Sequence, residues 1–197
     1  MAEAHEQVEH AEHIEHAAGS NKKIALVIAV MALFLAFSET LGKSAQTEAL
    51  NVNIKASDLW NFFQAKNIRR TVVLTAAEAK IAESIASQET TAREPIAKQI
   101  AEWKKTADRY RSEPETREGT TELSERAREA EHERDTLFAK YHNYELASAA
   151  FQIGIVLCSA AVITGMVVLA WLAGGIAVIG VAFMGLGLFA PHALHLA

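Results

Sequence analysis

The last 52 residues of this 197-residue chain contain no Asp, Glu, Lys or Arg, although these four residue types make up 22% of the sequence. Such a run, from Leu146 to Ala197, is not typical of the surface of a water-soluble domain. It is longer than the roughly 20 residues with which one helix crosses about 30 Å of hydrocarbon. We therefore predict that it lies in the lipid bilayer as two crossings with a turn at Gly174-Gly175.

Other features are equally scarce. The single cysteine, Cys158, excludes an intrachain disulfide and leaves the redox compartment open. The sequence has no HExxH motif, no phosphate-binding glycine loop and no Ser/His/Asp set, so we predict no enzyme, no cofactor and no identifiable small-molecule substrate. The segment from Lys43 to Glu145 carries 17 Lys and Arg against 18 Asp and Glu, which excludes a nucleic-acid partner because no basic stripe exists.

A further apolar run, from Ile24 to Leu41, follows Lys22 and Lys23 as in a secretory signal. The preceding tail is acidic and no small-x-small cleavage site follows, so we predict a retained first span. The fold class is then an all-α membrane protein with three transmembrane helices, one N-terminal and two in a C-terminal hairpin, separated by a long helical, partly coiled-coil extramembrane segment. The predicted divisions are a tail at 1–23, a span at 24–41, the extramembrane segment at 42–145, spans at 146–171 and 172–190, and a C-terminal tail at 191–197.

Basic residues near the membrane ends predict the orientation. Lys22 and Lys23 lie on one side, in a tail with five glutamates, whereas Lys43, Lys55, Lys140 and several arginines lie on the other. We expect the charged middle segment and the C-terminus to be cytoplasmic.

The middle segment is predicted to be helical almost throughout. No proline or glycine interrupts residues 44–91, where good helix formers dominate. Pro95 is expected to open a second helix that ends near Arg111. A connector with Pro114 occupies 112–119, and a third helix runs from about Thr121 into the second span.

Large apolar residues are concentrated just after the first span. Aromatic and aliphatic side chains there favour packing against a neighbouring helix or subunit, an interfacial belt, or a ligand platform. We predict an interaction surface formed by Leu50, Ile54, Leu59, Trp60, Phe62, Phe63 and Arg69.

The same region resembles a known family. The run from Lys43 to Thr47, the pair Asn53-Ile54, the run from Trp60 to Lys66, and Ile68-Arg69 directly follow a membrane span. In this they are similar to the bacterial membrane family catalogued as domain of unknown function 4337. The resemblance covers most of the chain and implies a multi-pass protein of the bacterial inner membrane. It implies no activity and no catalytic residue.

Two groups of ionisable residues offer possible chemistry. His10, His13 and His16 alternate with glutamates in the tail, and imidazole with carboxylate can bind zinc, nickel or copper. Spacing by three is a poor ligand template, so a solvated amphipathic tail is the alternative. Glu39 lies near the end of the first span, where it either serves an ion or proton pathway or reaches the interface beside Lys43.

Small residues recur along the C-terminal spans at spacings that permit close helix approach. We predict helix packing at Ala150, Gly154, Ala161, Gly165, Gly174, Gly180 and Gly185. The function expected is a non-enzymatic structural, assembly or scaffolding role, as a homo-oligomer or as a subunit of a larger membrane complex in the lipid bilayer. The alternative is an oligomeric ion conduit or a metal or pH sensor that uses Glu39 or the tail.

Overall fold

The computed structural model describes the backbone of residues 2–86 and 93–193 and the side chains of residues 22–85 and 94–193. Within those ranges the chain is all-helical and has no strand. Its four helices are α1 (Ala2–Ala86), α2 (Arg93–Arg111), α3 (Thr120–Thr164) and α4 (Val167–Phe189).

Three of these helices are long and apolar enough to cross a bilayer. They are Lys22–Ile85 of α1, Thr120–Thr164 and Val167–Phe189. The 23 residues of α4 span about 34 Å at 1.5 Å per residue, which matches the hydrocarbon thickness. The predicted all-helical fold with three helices able to cross a bilayer is therefore confirmed.

The turn between α3 and α4 is a correction to the predicted hairpin. It lies at Gly165 and Met166, whereas the predicted turn at Gly174-Gly175, like the predicted division between residues 171 and 172, falls inside α4. Gly165 has φ of +70°, a conformation that glycine adopts without steric cost, and its N–H donates to the Ala161 carbonyl at 2.9 Å. Since a glycine pair is also compatible with a helix interior, composition alone misled the prediction.

The helices of the charged middle segment agree closely with the prediction. Helix α2 contains Pro95 in its first turn and ends at Arg111 as expected, and α3 begins at Thr120 after a short connector. The described part of α1 extends without interruption to Ala86, because no proline or glycine breaks it after Gly42.

The chain divides into two compact units. Unit 1 comprises Met1–Glu48 and Thr136–Ala197, and unit 2 comprises Ala49–Asp135. In unit 1, the buried core joins Met31 of α1, Phe151 and Cys158 of α3, and Ala173 of α4. The rings of Phe34 and Phe151 stack with centroids 5.7 Å apart, so α1 and α3 contact directly there.

Candidate functional site

Helix α1 presents two different faces within unit 2. The inner face packs within the unit and includes Val52, Ala56, Leu59 and Lys66, each no more than 8% exposed. These residues recur at intervals of four, three and seven, which keeps them on one side of the helix. Ala77, which is 1% exposed, continues the same line eleven residues later.

The outer face of α1, as we define it, consists of Leu50, Ile54, Ile68 and Val72. Their side chains are 52%, 60%, 63% and 61% exposed, respectively. Among the described side chains of unit 2, the only other exposed large hydrophobic residue is Ile85, which is also on α1. The exposed aliphatic surface of unit 2 is therefore concentrated on one helix.

The outer face is continuous and uncharged. At about 100° per residue, Leu50, Ile54, Ile68 and Val72 lie within about 20° of a line through Asn61. Asn61 is itself exposed and fills the gap between the two aliphatic pairs. The charged residues of α1 between 44 and 77 lie at least about 60° from this line, and Asp58 is the nearest. A neutral strip in a charged segment is typical of a surface that another helix covers.

The predicted interaction surface is divided between these two faces. Leu50 and Ile54 are exposed on the outer face, and Arg69 is exposed away from it. Leu59 is buried on the inner face, and the indole of Trp60 meets the Phe63 ring edge-on at 5.4 Å. The original seven residues are therefore not one surface. Ile68 and Val72 were missed, although the seven-residue interval from Ile54 through Asn61 to Ile68 was visible in the sequence.

Lys66 forms the polar centre of the inner face. Its side chain is buried, and Nζ lies 3.2 Å from Glu113 Oε2 and 3.7 Å from Glu118 Oε2. Nζ also lies 5.5 Å from the Phe62 ring centroid and 5.6 Å from that of Tyr110, within the range of cation–π attraction. The hydrogen bond from Lys66 lowers the pKa of Glu113 below its ordinary value. The Lys66 ammonium group already contacts two carboxylates and two aromatic rings. These contacts indicate a structural role for Lys66.

Two further side-chain contacts join α1 to α3 inside unit 2. Trp60 Nε1 donates to Glu131 Oε1 at 2.9 Å, and Arg134 Nη1 donates to Asn53 Oδ1 at 3.3 Å. A hydrogen bond from a partly buried indole to a carboxylate fixes the rotation of α1 about its own axis. The inner and outer faces are consequently held in their observed directions.

The connector between α2 and α3 is closed by Glu122. Its carboxylate accepts hydrogen bonds from the Ser112 hydroxyl at 2.6 Å and from the Glu113 backbone N–H at 3.3 Å. The Ser112 bond is the main cause that lowers the pKa of Glu122. Gly119 is required here because a Cβ would lie 2.6 Å from the Glu113 nitrogen and 2.7 Å from the Ser112 Cα.

The small residues predicted for helix packing serve different roles in unit 1. Ala161 is buried, and a Cβ on Gly154 would lie 2.9 Å from Met31 Sδ. A Cβ on Gly180 would lie 3.0 Å from two carbons of the Phe151 ring. These three residues line the inner contacts of the unit.

Ala150 shares this role, because a Cβ on Gly180 would lie 3.3 Å from the Ala150 Cβ. The other three members of that set do not: Gly165 forms the turn, and a Cβ at Gly174 or Gly185 would have no neighbour within 4 Å. Gly187, another glycine of α4, also contacts a helix, because a Cβ there would lie 2.7 Å from the Tyr144 ring. Spacing alone did not distinguish a glycine that contacts a helix from one that faces outward.

Glu39 lies on the surface of unit 1. Its side chain is exposed, and its Oε1 accepts a hydrogen bond from Gln152 Nε2 of α3 at 3.3 Å. The neighbouring Ser38 is fully buried instead and donates to Met184 Sδ at 3.6 Å. An ion pathway that used Glu39 would therefore run along the outside of one chain, where that chain meets another copy of the protein.

Unit 1 also has an apolar groove of about 370 Å³, lined only by apolar side chains such as Leu26, Phe34 and Val178. Its lining offers hydrocarbon contacts and no polar group for a substrate. The predicted metal ligands His10, His13 and His16 lie outside the described side chains. Among the described residues, no group of three or more His, Cys, Asp or Glu side chains is arranged to hold a metal ion.

Comparison with known proteins assigns this architecture to a family. A family model described as Domain of unknown function (DUF4337) matches residues 20–190, which include all of unit 2 and most of unit 1. The chain belongs to the DUF4337 family. No curated protein and no solved structure matches it. The resemblance inferred from the sequence is therefore confirmed.

In this DUF4337 chain, several residues that carry the resemblance make local contacts. Thr47 Oγ1 donates to the Lys43 carbonyl at 2.8 Å within α1, while Asn53, Trp60 and Lys66 hold unit 2 together. Ile54 and Ile68 differ from these because both lie on the outer face. The residues that carry the resemblance are thus of two kinds, those that build unit 2 and those that unit 2 leaves exposed.

Proposed function

We propose that this DUF4337 protein is a non-enzymatic scaffold of a bacterial inner membrane, in which the apolar parts of α1, α3 and α4 are the anchor. The outer face of α1 is its binding surface and takes another helix. The observation that carries the proposal is the exposure of Leu50, Ile54, Ile68 and Val72 on one uncharged side of a helix whose surroundings are charged. Covering such side chains with an apolar partner surface stabilises a complex by about 25 cal/mol per Å² of buried apolar area, before the costs of association.

The proposal also includes an orientation. Lys43, Lys55 and Lys140 follow or precede apolar segments on the side of the middle segment, so this segment and the C-terminus are cytoplasmic by the positive-inside rule. A fusion of alkaline phosphatase to the C-terminus is expected to be inactive. An active fusion would reverse the assignment.

The scaffold role is tested with a double variant of the outer face, Ile54→Lys with Ile68→Lys. Both side chains are exposed, so the charges are solvated in the isolated chain but oppose a covering apolar helix. The full-length protein is extracted gently from membranes and its assembly mass is measured by light scattering. We expect the double variant to have a smaller mass than the wild type.

Ile85→Lys is the matched control. Ile85 has the same side chain on the same helix and is 79% exposed, but it lies about 120° from the line through Asn61. The control is expected to keep the wild-type mass. An unchanged mass in the double variant, or an equal loss in the control, would contradict a role for the outer face.

A second candidate function is ion conduction between copies, favoured by the Glu39–Gln152 hydrogen bond on the exposed side of unit 1. Glu39→Gln keeps the size and hydrogen-bonding capacity of the side chain but removes its charge. If the protein is a conduit, liposomes that contain the wild-type protein take up cations. Liposomes that contain the Glu39→Gln variant do not. The absence of flux with the wild type would eliminate this candidate.

A further inference from the structure

The outer face has the spacing of a helix that pairs with its own copy. Ile54, Asn61 and Ile68 are separated by seven residues each and occupy equivalent a positions. The d positions are Leu50 before Ile54, Ser57 and Gln64 between the a positions, and Thr71 after Ile68. Isoleucine at a and leucine at d favour two-stranded parallel coiled coils, and asparagine at a single a position favours a dimer in one register.

The inner face is compatible with this pairing because it uses other positions of the same repeat. Val52, Leu59 and Lys66 are at f, the position farthest from an a/d seam, and all three are buried inside unit 2. Pairing through a and d therefore requires no rearrangement of the contacts made by Lys66. One helix serves the packing of its own chain and the proposed contact at the same time.

We propose that the occupant of the outer face is a second copy of this chain, parallel and in register, with Asn61 opposite Asn61 of the second copy. This inference rests on the proposed function and names its partner. Each amide carries both donor and acceptor groups, so two facing Asn61 side chains satisfy each other within the apolar contact. A single polar pair at this place opposes slippage, because any shift by seven residues sets Asn61 against isoleucine.

Membrane insertion supplies the direction and the register. Copies inserted in the same orientation have α1 leaving the bilayer in the same direction, which favours parallel pairing. In every copy, Leu50 follows nine residues after Leu41, the predicted end of the span, so equivalent residues lie at equivalent distances along the helix. Confinement to one membrane also raises the effective concentration, which compensates for the polar side chains at three d positions.

Charge does not oppose the pairing. Between residues 51 and 74, the flanking e and g positions carry one charged side chain, Asp58. In a parallel pair, the e position faces the preceding g position of the other helix, so Asp58 meets the amide of Asn53. No like-charged side chains of α1 are therefore brought together along the seam.

Disulfide formation in native membranes tests the pairing directly. The wild-type chain provides the baseline because its single cysteine, Cys158, is buried in unit 1. Asn61→Cys introduces an exposed thiol at the proposed seam, and Lys55→Cys introduces a thiol that is also exposed but lies about 120° away. Mild oxidation with copper phenanthroline is followed by electrophoresis without reductant.

We expect most of the Asn61→Cys protein to form a covalent dimer, while Lys55→Cys and the wild type remain monomeric on the gel. If Asn61→Cys gives no dimer but Ile54→Lys with Ile68→Lys still reduces the assembly mass, the outer face binds a different protein and this inference is wrong while the scaffold role stands. If neither experiment shows an effect, both proposals fail. Equal cross-linking of Asn61→Cys and Lys55→Cys indicates random collision and also overturns the inference.

Discussion

Replacing Gly187 with alanine tests the packing of α3 against α4 in unit 1. An added Cβ would lie 2.7 Å from one carbon of the Tyr144 ring and 3.1 Å from two others. Tyr144 is buried, so its ring cannot move into solvent to relieve the contact. Overpacking of this kind costs about 1–3 kcal/mol.

A matched variant separates this cost from the effect of alanine on the helix itself. Alanine in place of glycine favours a helix interior by about 1 kcal/mol wherever it is placed. Gly175 is also inside α4, but an added Cβ there has no neighbour within 4 Å. The difference in unfolding free energy between Gly187→Ala and Gly175→Ala therefore isolates the contact with Tyr144, at about 1–3 kcal/mol.

The difference is measured by amide hydrogen exchange of α3 and α4 in the full-length protein in lipid nanodiscs. A loss of about 1–3 kcal/mol corresponds to exchange about 5- to 150-fold faster in Gly187→Ala than in Gly175→Ala. The amide protection of Gly175→Ala should equal or exceed that of the wild type. Equal exchange in the two variants would refute the conclusion that Gly187 is required by a close helix contact.

Three other outcomes are expected. Gly165→Ala should lower the stability of unit 1 by about 1–2 kcal/mol, because alanine disfavours the positive φ of the turn; unchanged exchange at the end of α3 would contradict this. Trp60→Phe should weaken unit 2 by about 1 kcal/mol through loss of the bond to Glu131, and faster exchange in α1 would reveal it; unaltered protection there would argue against a stabilising bond. The pKa of Glu122 is lowered in the folded chain, so the folded chain binds fewer protons than the unfolded chain between that lowered pKa and the ordinary one, and unit 2 loses stability as the pH falls through the ordinary carboxyl pKa towards the lowered one. Glu122→Gln should flatten that acid dependence of exchange in α2, and an unaltered slope would exclude the carboxylate as its cause.

The sequence was most informative where the segregation of residue types determines structure directly. The charge-free run from Leu146 and the apolar run from Ile24 predicted helices able to cross a bilayer, because a long continuous apolar segment satisfies its backbone hydrogen bonds in hydrocarbon by forming a helix. Pro95 and the connector before Thr120 were equally well predicted, since they depend on local backbone preferences. These features need no knowledge of distant contacts.

The faces of α1 could not be assigned from the same information. Leu50 and Leu59 are the same residue type nine positions apart, yet one is exposed and the other is buried. Which of them packs depends on where α2 and α3 lie, and on the bonds that Trp60 and Lys66 make with carboxylates far away in the chain. The predicted interaction surface therefore mixed residues that build unit 2 with residues that it leaves uncovered.

The hairpin shows the same division. Sequence by itself determined that two apolar helices follow Glu145, that small residues lie along both of them, and that the chain carries no recognisable catalytic motif. Tertiary structure decided that Gly165 makes the turn while Gly174 and Gly175 do not, and that Gly187 receives the Tyr144 ring. Composition determines which segments leave water, but the direction of each side chain is decided by the neighbour against which its helix packs.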